Sequence, residues 1–230
     1  MRVIPVIDLK GGTVVRARLG RRDEYRPIET RLSATSDPVD VARGLVSVHP
    51  FEVLYVADLD AIERRGDNRR ELARLKAAFP ALTLWVDNGI STPEAADAWL
   101  ASRLGHLVLG SETQRDESLL RRLASDERIV LSLDFRGDAF QGPATILADQ
   151  SAWPQGILCM TLARVGSGSG PDLERLAELR RAAPDRDIYA AGGVRDLADL
   201  RRLAQAGIAG ALVATSLHDG RLTGPDIASL

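Results

Sequence analysis

Asp8 closes the apolar run VIPVID and Asp134 closes the run RIVLSLD, and a glycine turn follows each of them. Two carboxylates facing one another across a pocket can divide proton transfer: one takes a proton as base, the other, held protonated, donates one as acid. Other apolar runs end in turns of a second kind. Gly192-Gly193-Val194 and Ala214-Thr215-Ser216 would offer backbone N–H groups and hydroxyls to an anion, the natural ligand of a strand-to-helix turn. Gly192, Gly193, Ala214 and Thr215 are therefore read as a phosphate site. Gly89 with Gly110 and Ser111 forms a second candidate, beside which Asp87 places a negative charge. For Asp58 and Asp87 the plainer reading is a cap on a turn or helix.

Positioning these groups requires their strands to end at one rim. Eight β-branched runs recur, at 3–8, 52–58, 82–87, 106–110, 128–134, 156–161, 187–191 and 210–215. They lack clean alternation, which suits strands buried on both faces of a parallel sheet. Helical stretches separate them. Ser36-Asp37-Pro38 and Ser91-Thr92-Pro93 each set a capping side chain before a proline at the first helical position, and 67–78 and 172–183 carry leucine and alanine at helical spacing. Alternating strand and helix imply a parallel sheet, and eight units imply a closed (β/α)8 TIM barrel as one domain over 1–230, with an open doubly wound sheet as runner-up. The halves echo each other: Asp8 to Gly11 matches Asp134 to Gly137, Asn88-Gly89 matches Gly192-Gly193, and Gly110-Ser111 matches Ala214-Thr215. A duplicated half-barrel explains this.

Composition narrows the partners. A net charge of -2 offers no basic field for nucleic acid, and no run reaches the ~20 apolar residues that span a bilayer. The N-terminal residues do not read as a leader, and Cys159, the single cysteine, allows no intramolecular disulfide, so a cytoplasmic monomer or small homo-oligomer is expected. Neither cofactor nor metal is expected, because His49, His106 and His218 show no ligand spacing and His218 reads as part of the tail. The segment after strand one is long, charged and glycine-flanked, suiting a lid that carries Arg16 or Arg18 toward an anionic substrate, and the glycine- and serine-rich 163–172 suits a second mobile loop. Trp85, Trp99 and Cys159 read as packing, and Trp153 as a residue able to line the mouth.

The segment IPVIDLKGGTVVR resembles the opening strand and loop of the isomerase among the phosphoribosyl isomerase and cyclase barrels of histidine biosynthesis; ADLDAI resembles its second strand end, and LVLGS with AAGGV its phosphate turns. The likeness spans nearly the whole chain. It implies an aminoimidazole carboxamide ribotide with a phosphate at each end, and an Amadori rearrangement of aminoaldose to aminoketose. Carried over residue by residue, Asp8 is the base that moves the sugar C2 proton, Asp134 the acid that opens the ribose ring, and Arg16 the loop-one arginine. Thr161 stands at a catalytic strand end where an aspartate or a threonine–acidic pair is common. Departures are Asp87-Asn88-Gly89 for a glycine-rich third turn, Ala214-Thr215 where glycine is usual, and Arg164-Val165-Gly166 after strand six. GRRDEYRPI and ADLDAI look more like a divergent isomerase- and cyclase-related subgroup of methanogens and methylotrophs. Three readings stand: an isomerase of a phosphorylated aminosugar, a related enzyme recruited to another pathway such as one-carbon coenzyme (methanopterin or methanofuran) synthesis, and a barrel that only binds a phosphorylated ligand.

Overall fold

The β-branched runs become parallel strands because their side chains are buried on both faces, outward under helices and inward along a common axis. They are β1 (Arg2–Lys10), β2 (Val53–Asp58), β3 (Thr83–Asp87), β4 (His106–Gly110), β5 (Ile129–Arg136), β6 (Gly156–Thr161), β7 (Asp187–Ala191) and β8 (Gly210–Val213). This computed structural model describes residues 1–17 and 21–230. Each strand pairs in parallel with the next, and β8 pairs with β1 from Arg2↔Gly210 to Pro5↔Val213, so the sheet closes into a barrel. The chain is a (β/α)8 TIM barrel, and the open-sheet alternative is removed.

Closure fixes the height of the functional residues. Following paired residues sideways from Asp8 leads through Ala57, Asp87, Val108, Val130 and Gly156 to Asp187. That path begins near the end of β1 and finishes at the start of β7, the stagger that tilted barrel strands require. A residue level with Asp8 on β5 must therefore lie later in its strand, which is where Asp134 sits. Alternate residues fill the interior, including Ile4, Tyr55, Trp85, Val108, Val130, Leu158, Tyr189 and Leu212. The Trp85 and Tyr189 rings meet edge to face with centroids 5.1 Å apart.

The outer shell holds α1 (Pro38–Val48), α2 (Arg69–Ala78), α3 (Pro93–Ser102), α4 (Ser118–Leu123), α5 (Ala144–Ala148), α6 (Leu173–Ala182), α7 (Leu197–Gln205) and α8 (Gly224–Ala228). Their starts follow the capping residues. Asp37 accepts from the amides of Val39 and Asp40, Thr92 from Ala95, Asp172 from Arg175 and Asp196 from Asp199, each cap worth about 1 kcal/mol. Leu72 and Leu75, Leu176 and Leu179, and Leu200 and Leu203 bury the inner faces of α2, α6 and α7. Cys159 faces this shell from β6, 1% exposed, and burial pushes its thiol up to about 12.

Three sequence expectations are corrected. Trp153 does not line the mouth: it is 1% exposed, donates its indole N–H to the Ile146 carbonyl at 2.7 Å, and borders the opposite end of the barrel with Arg2, His106 and Asp187. Strand eight stops at Val213, and Thr215 opens a short helix, Thr215–His218. The segment after β1 is not all loop: Thr13–Arg16 folds back antiparallel on β1, and Arg26–Pro27 pairs with it in turn. Ala139–Phe140 folds back on β5 in the same way, so the half-barrel echo reaches beyond the strands.

Candidate active site

At the C-terminal ends of the strands lies a cavity of about 1260 Å³, counting its open mouth. Asp8, Arg16, Gly192, Gly193, Ala214 and Thr215 all line it, with Asp134 on the other side of the barrel axis. Gly89, Gly110, Ser111 and Thr161 are not among the lining residues. Thr161 is 4% exposed, shares the strand face of Cys159, and hydrogen-bonds that thiol. Arg18 falls outside the described residues.

Asp134 is 5% exposed and firmly held. Ser132 Oγ donates to its Oδ1 at 2.7 Å, and the Glu112 amide donates to Oδ2 at 3.2 Å. The Ser111 hydroxyl lies 3.2 Å from that same oxygen and accepts from the Asp134 amide at 3.0 Å. Burial pushes the Asp134 carboxyl up to about 7, and the nearby Asp87 carboxylate adds to the rise. Asp8 is half-buried and its carboxylate makes no hydrogen bond among the described residues. Burial pushes it up to about 7 against the pull of the Arg22 guanidinium. Asp134 thus has an anion for a neighbour and Asp8 a cation, influences of opposite sign beside a burial that raises both.

Sequence reading gave Asp87, Arg22, Glu112 and His218 no part in the chemistry, although it set Asp87 at the mouth. Asp87, expected as a turn cap, does accept from the Gly89 amide at 3.2 Å, yet it also lines the cavity and bonds the Tyr55 hydroxyl; burial raises it to about 6. Gly110 separates it from Asp134: a Cβ there would stand 3.3 Å from Asp87 Oδ2 and 3.4 Å from Asp134 Oδ2, so both carboxylates close on one point. Arg22 enters from beyond the β1 hairpin and pairs with Glu112. His218 is no tail residue. It is 4% exposed, lines the cavity, sits 3.1 Å from the Thr30 hydroxyl, and is pushed down to about 4 by burial and by Arg16. The rich arginine and aspartate content around the first segment was the only available signal for Arg22, and it did not separate that residue from its neighbours.

The opposite wall is built of backbone. The amides of Gly192, Gly193, Thr215 and Ser216 have no acceptor among the described residues, so they can receive an anion at the start of two helical segments. Gly193 holds φ +85°, and a Cβ on it would stand 2.2 Å from the Gly170 carbonyl. The segment after β6 closes against this turn, with Gly170 N donating to Gly193 O at 3.1 Å and Arg164 donating to Gly170 O at 3.0 Å. Beneath it Asp199, fully buried, binds the Arg195 amide and guanidinium at 2.8–3.0 Å and also pairs with Arg202, which holds its carboxyl down at about 2. Arg16 reaches Asp219 at 3.1 Å and the Glu29 carbonyl at 2.9 Å on the same side.

The chain is similar in sequence to known proteins over nearly its whole length. The chain is 32% identical to a 1-(5-phosphoribosyl)-5-((5-phosphoribosylamino)methylideneamino)imidazole-4-carboxamide isomerase of Halorhodospira halophila, over 96% of this chain and 94% of that one. It is 29% identical to the isomerase of the same name from Thermus thermophilus, over 96% of each. An uncharacterized protein of Methanocaldococcus jannaschii is 27% identical over 96% of this chain and 95% of its own length. The family described as histidine biosynthesis protein matches residues 2–223, and with nearly every strand, helix and rim residue inside that span the chain belongs to this family.

Proposed function

We propose that this protein is an isomerase that converts a phosphorylated aminoaldose to the aminoketose by an Amadori rearrangement, the reaction type of the isomerases it resembles. The observation that carries the reading is the pair Asp8 and Asp134, raised to about 7 and set in one cavity whose other wall offers unpaired backbone amides. The amides at Gly192, Gly193, Thr215 and Ser216 hold a phosphate and so fix the sugar's distance from both carboxyls. Asp134, beside Asp87, keeps its proton near neutrality and gives it to the ring oxygen. The C1–O bond then breaks as the amine lone pair forms a protonated imine. Asp8, facing Arg22, holds the ionised form and takes the C2 proton, giving an enaminol. Return of a proton to C1 and loss of the hydroxyl proton complete the ketose, with atoms conserved throughout.

The test is conversion of N-substituted ribosylamine 5-phosphates to 1-amino-1-deoxyribulose 5-phosphates, followed by proton NMR. Asp8→Asn and Asp134→Asn should each abolish turnover, since a positioned proton-transfer group contributes typically 10²- to 10⁴-fold. Affinity should stay within about tenfold, because the phosphate contacts lie elsewhere. Turnover retained in both variants would leave a barrel that only binds.

A further inference from the structure

The two glycine turns that the sequence pairs by symmetry are opposite in electrostatic character. On the β7–β8 side the turn amides are free, as described above. On the β3–β4 side two of the four corresponding amides, those of Gly89 and Glu112, are spent on the protein's own carboxylates, while those of Asn88 and Ser111 have no acceptor among the described residues. Gly89 N gives its proton to Asp87 Oδ1 at 3.2 Å, Glu112 N gives its own to Asp134 Oδ2 at 3.2 Å, and Ser111 Oγ sits between Asp134 Oδ2 at 3.2 Å and the Gln141 carbonyl at 2.8 Å. Gly89, Gly110 and Ser111 do not face the cavity; Asp87, Glu112 and Asp134 do. Arg22, the cation facing this end among the described residues, is already paired with Glu112.

A phosphate brought to the β3–β4 end would meet the Asp87 and Glu112 carboxylates, the protonated Asp134 carboxyl and one neutralised guanidinium, so like charges repel it there. A group that donates hydrogen bonds would meet acceptors. We infer that the substrate carries a single phosphate, seated at Gly192, Gly193 and Thr215, and presents an amine or other cationic nitrogen donor to Asp87 at the far end of the cavity. This deepens the isomerase reading and rests on it. It separates this chain from a substrate with a phosphate at each end.

The full chain is soaked as crystals with inorganic phosphate and titrated calorimetrically with fructose 6-phosphate, fructose 1,6-bisphosphate, glucose 6-phosphate and glucosamine 6-phosphate. Phosphate is expected at the Gly193 and Thr215 turns alone, and the bisphosphate is expected to bind no more tightly than fructose 6-phosphate. Glucosamine 6-phosphate should bind about tenfold more tightly than glucose 6-phosphate, the scale of one charge-assisted hydrogen bond. Asp87→Asn should remove most of that preference, and Asp87→Gly reads the same effect should the asparagine variant misfold by circular dichroism. Phosphate at both ends, or a tenfold gain from the second phosphate, overturns the inference while leaving the isomerase reading intact. Equal affinity for the two hexose phosphates overturns the amine assignment. Phosphate at neither end, with no sugar phosphate bound, removes the phosphate-binding reading itself.

Discussion

Proton transfer near neutral pH demands carboxyls far from their aqueous affinity, and burial supplies that shift at Asp8 and Asp134, both about 7. A base works only once ionised and an acid only while protonated, so kcat/KM should trace a bell with its maximum near pH 7. Ser132→Ala removes a hydrogen bond to the charged form of Asp134, which raises that carboxyl further and moves the alkaline limb upward; an unmoved limb would leave Ser132 a purely structural role. The same shifts act on stability. Asp8 is raised in the folded state, so the stability it permits is full below the unfolded value of about 4 and is lost as pH climbs through 7. Asp8→Asn should therefore unfold at a higher temperature than the parent at pH 8, by on the order of 3 kcal/mol in stability, with the gain vanishing by pH 4. Both aspartates were legible because each ends an apolar run before a glycine turn. Arg22 and His218 were not, since an arginine in a charged segment and a histidine near the chain end acquire meaning only when the hairpin and the helix Thr215–His218 fold them over the rim.

Elements were readable wherever local chemistry and burial agree. The strands fall within two residues of the β-branched runs, and α1 and α3 start behind Asp37 and Thr92, the residues whose side chains compete for helical amides. The hairpin after β1 was illegible because its pairing partner is the strand's own end, and a polar, glycine-flanked stretch shows no alternation of its own. The turn between β7 and α7 joins a glycine conformation to an ion pair whose carboxylate is buried and whose guanidiniums are exposed, and each can be removed separately. Gly193→Ala adds a Cβ to a φ of +85° against the Gly170 carbonyl, so phosphate affinity should fall at least about tenfold with a stability loss of roughly 2 kcal/mol or more. Asp199→Ala leaves Arg195 and Arg202 without their shared carboxylate, and urea unfolding should show a cost of about 3 kcal/mol. Unchanged unfolding would mean that the pair contributes nothing beyond solvation.

At the scale of the whole molecule the two halves share a frame and differ in charge. Asp8 and Asp134, and the hairpins behind them, obey the repeat; Asp87 breaks it, because the matching interior position of β7 is Ala191. Sequence symmetry could announce the shared frame but not the direction in which each turn's amides are satisfied, which depends on contacts between strands far apart in the chain. The closed barrel also makes its one thiol a gauge. Cys159 is 1% exposed between β6 and the helical shell, so an alkylating reagent reaches it only when that shell opens. Labelling rates under native conditions then report the free energy of that opening. Because a ligand that binds only the closed form adds RT ln(1 + [L]/Kd) to that free energy, phosphate should slow the labelling by the factor 1 + [L]/Kd. The barrel thereby carries its own binding assay at a residue that never touches the ligand.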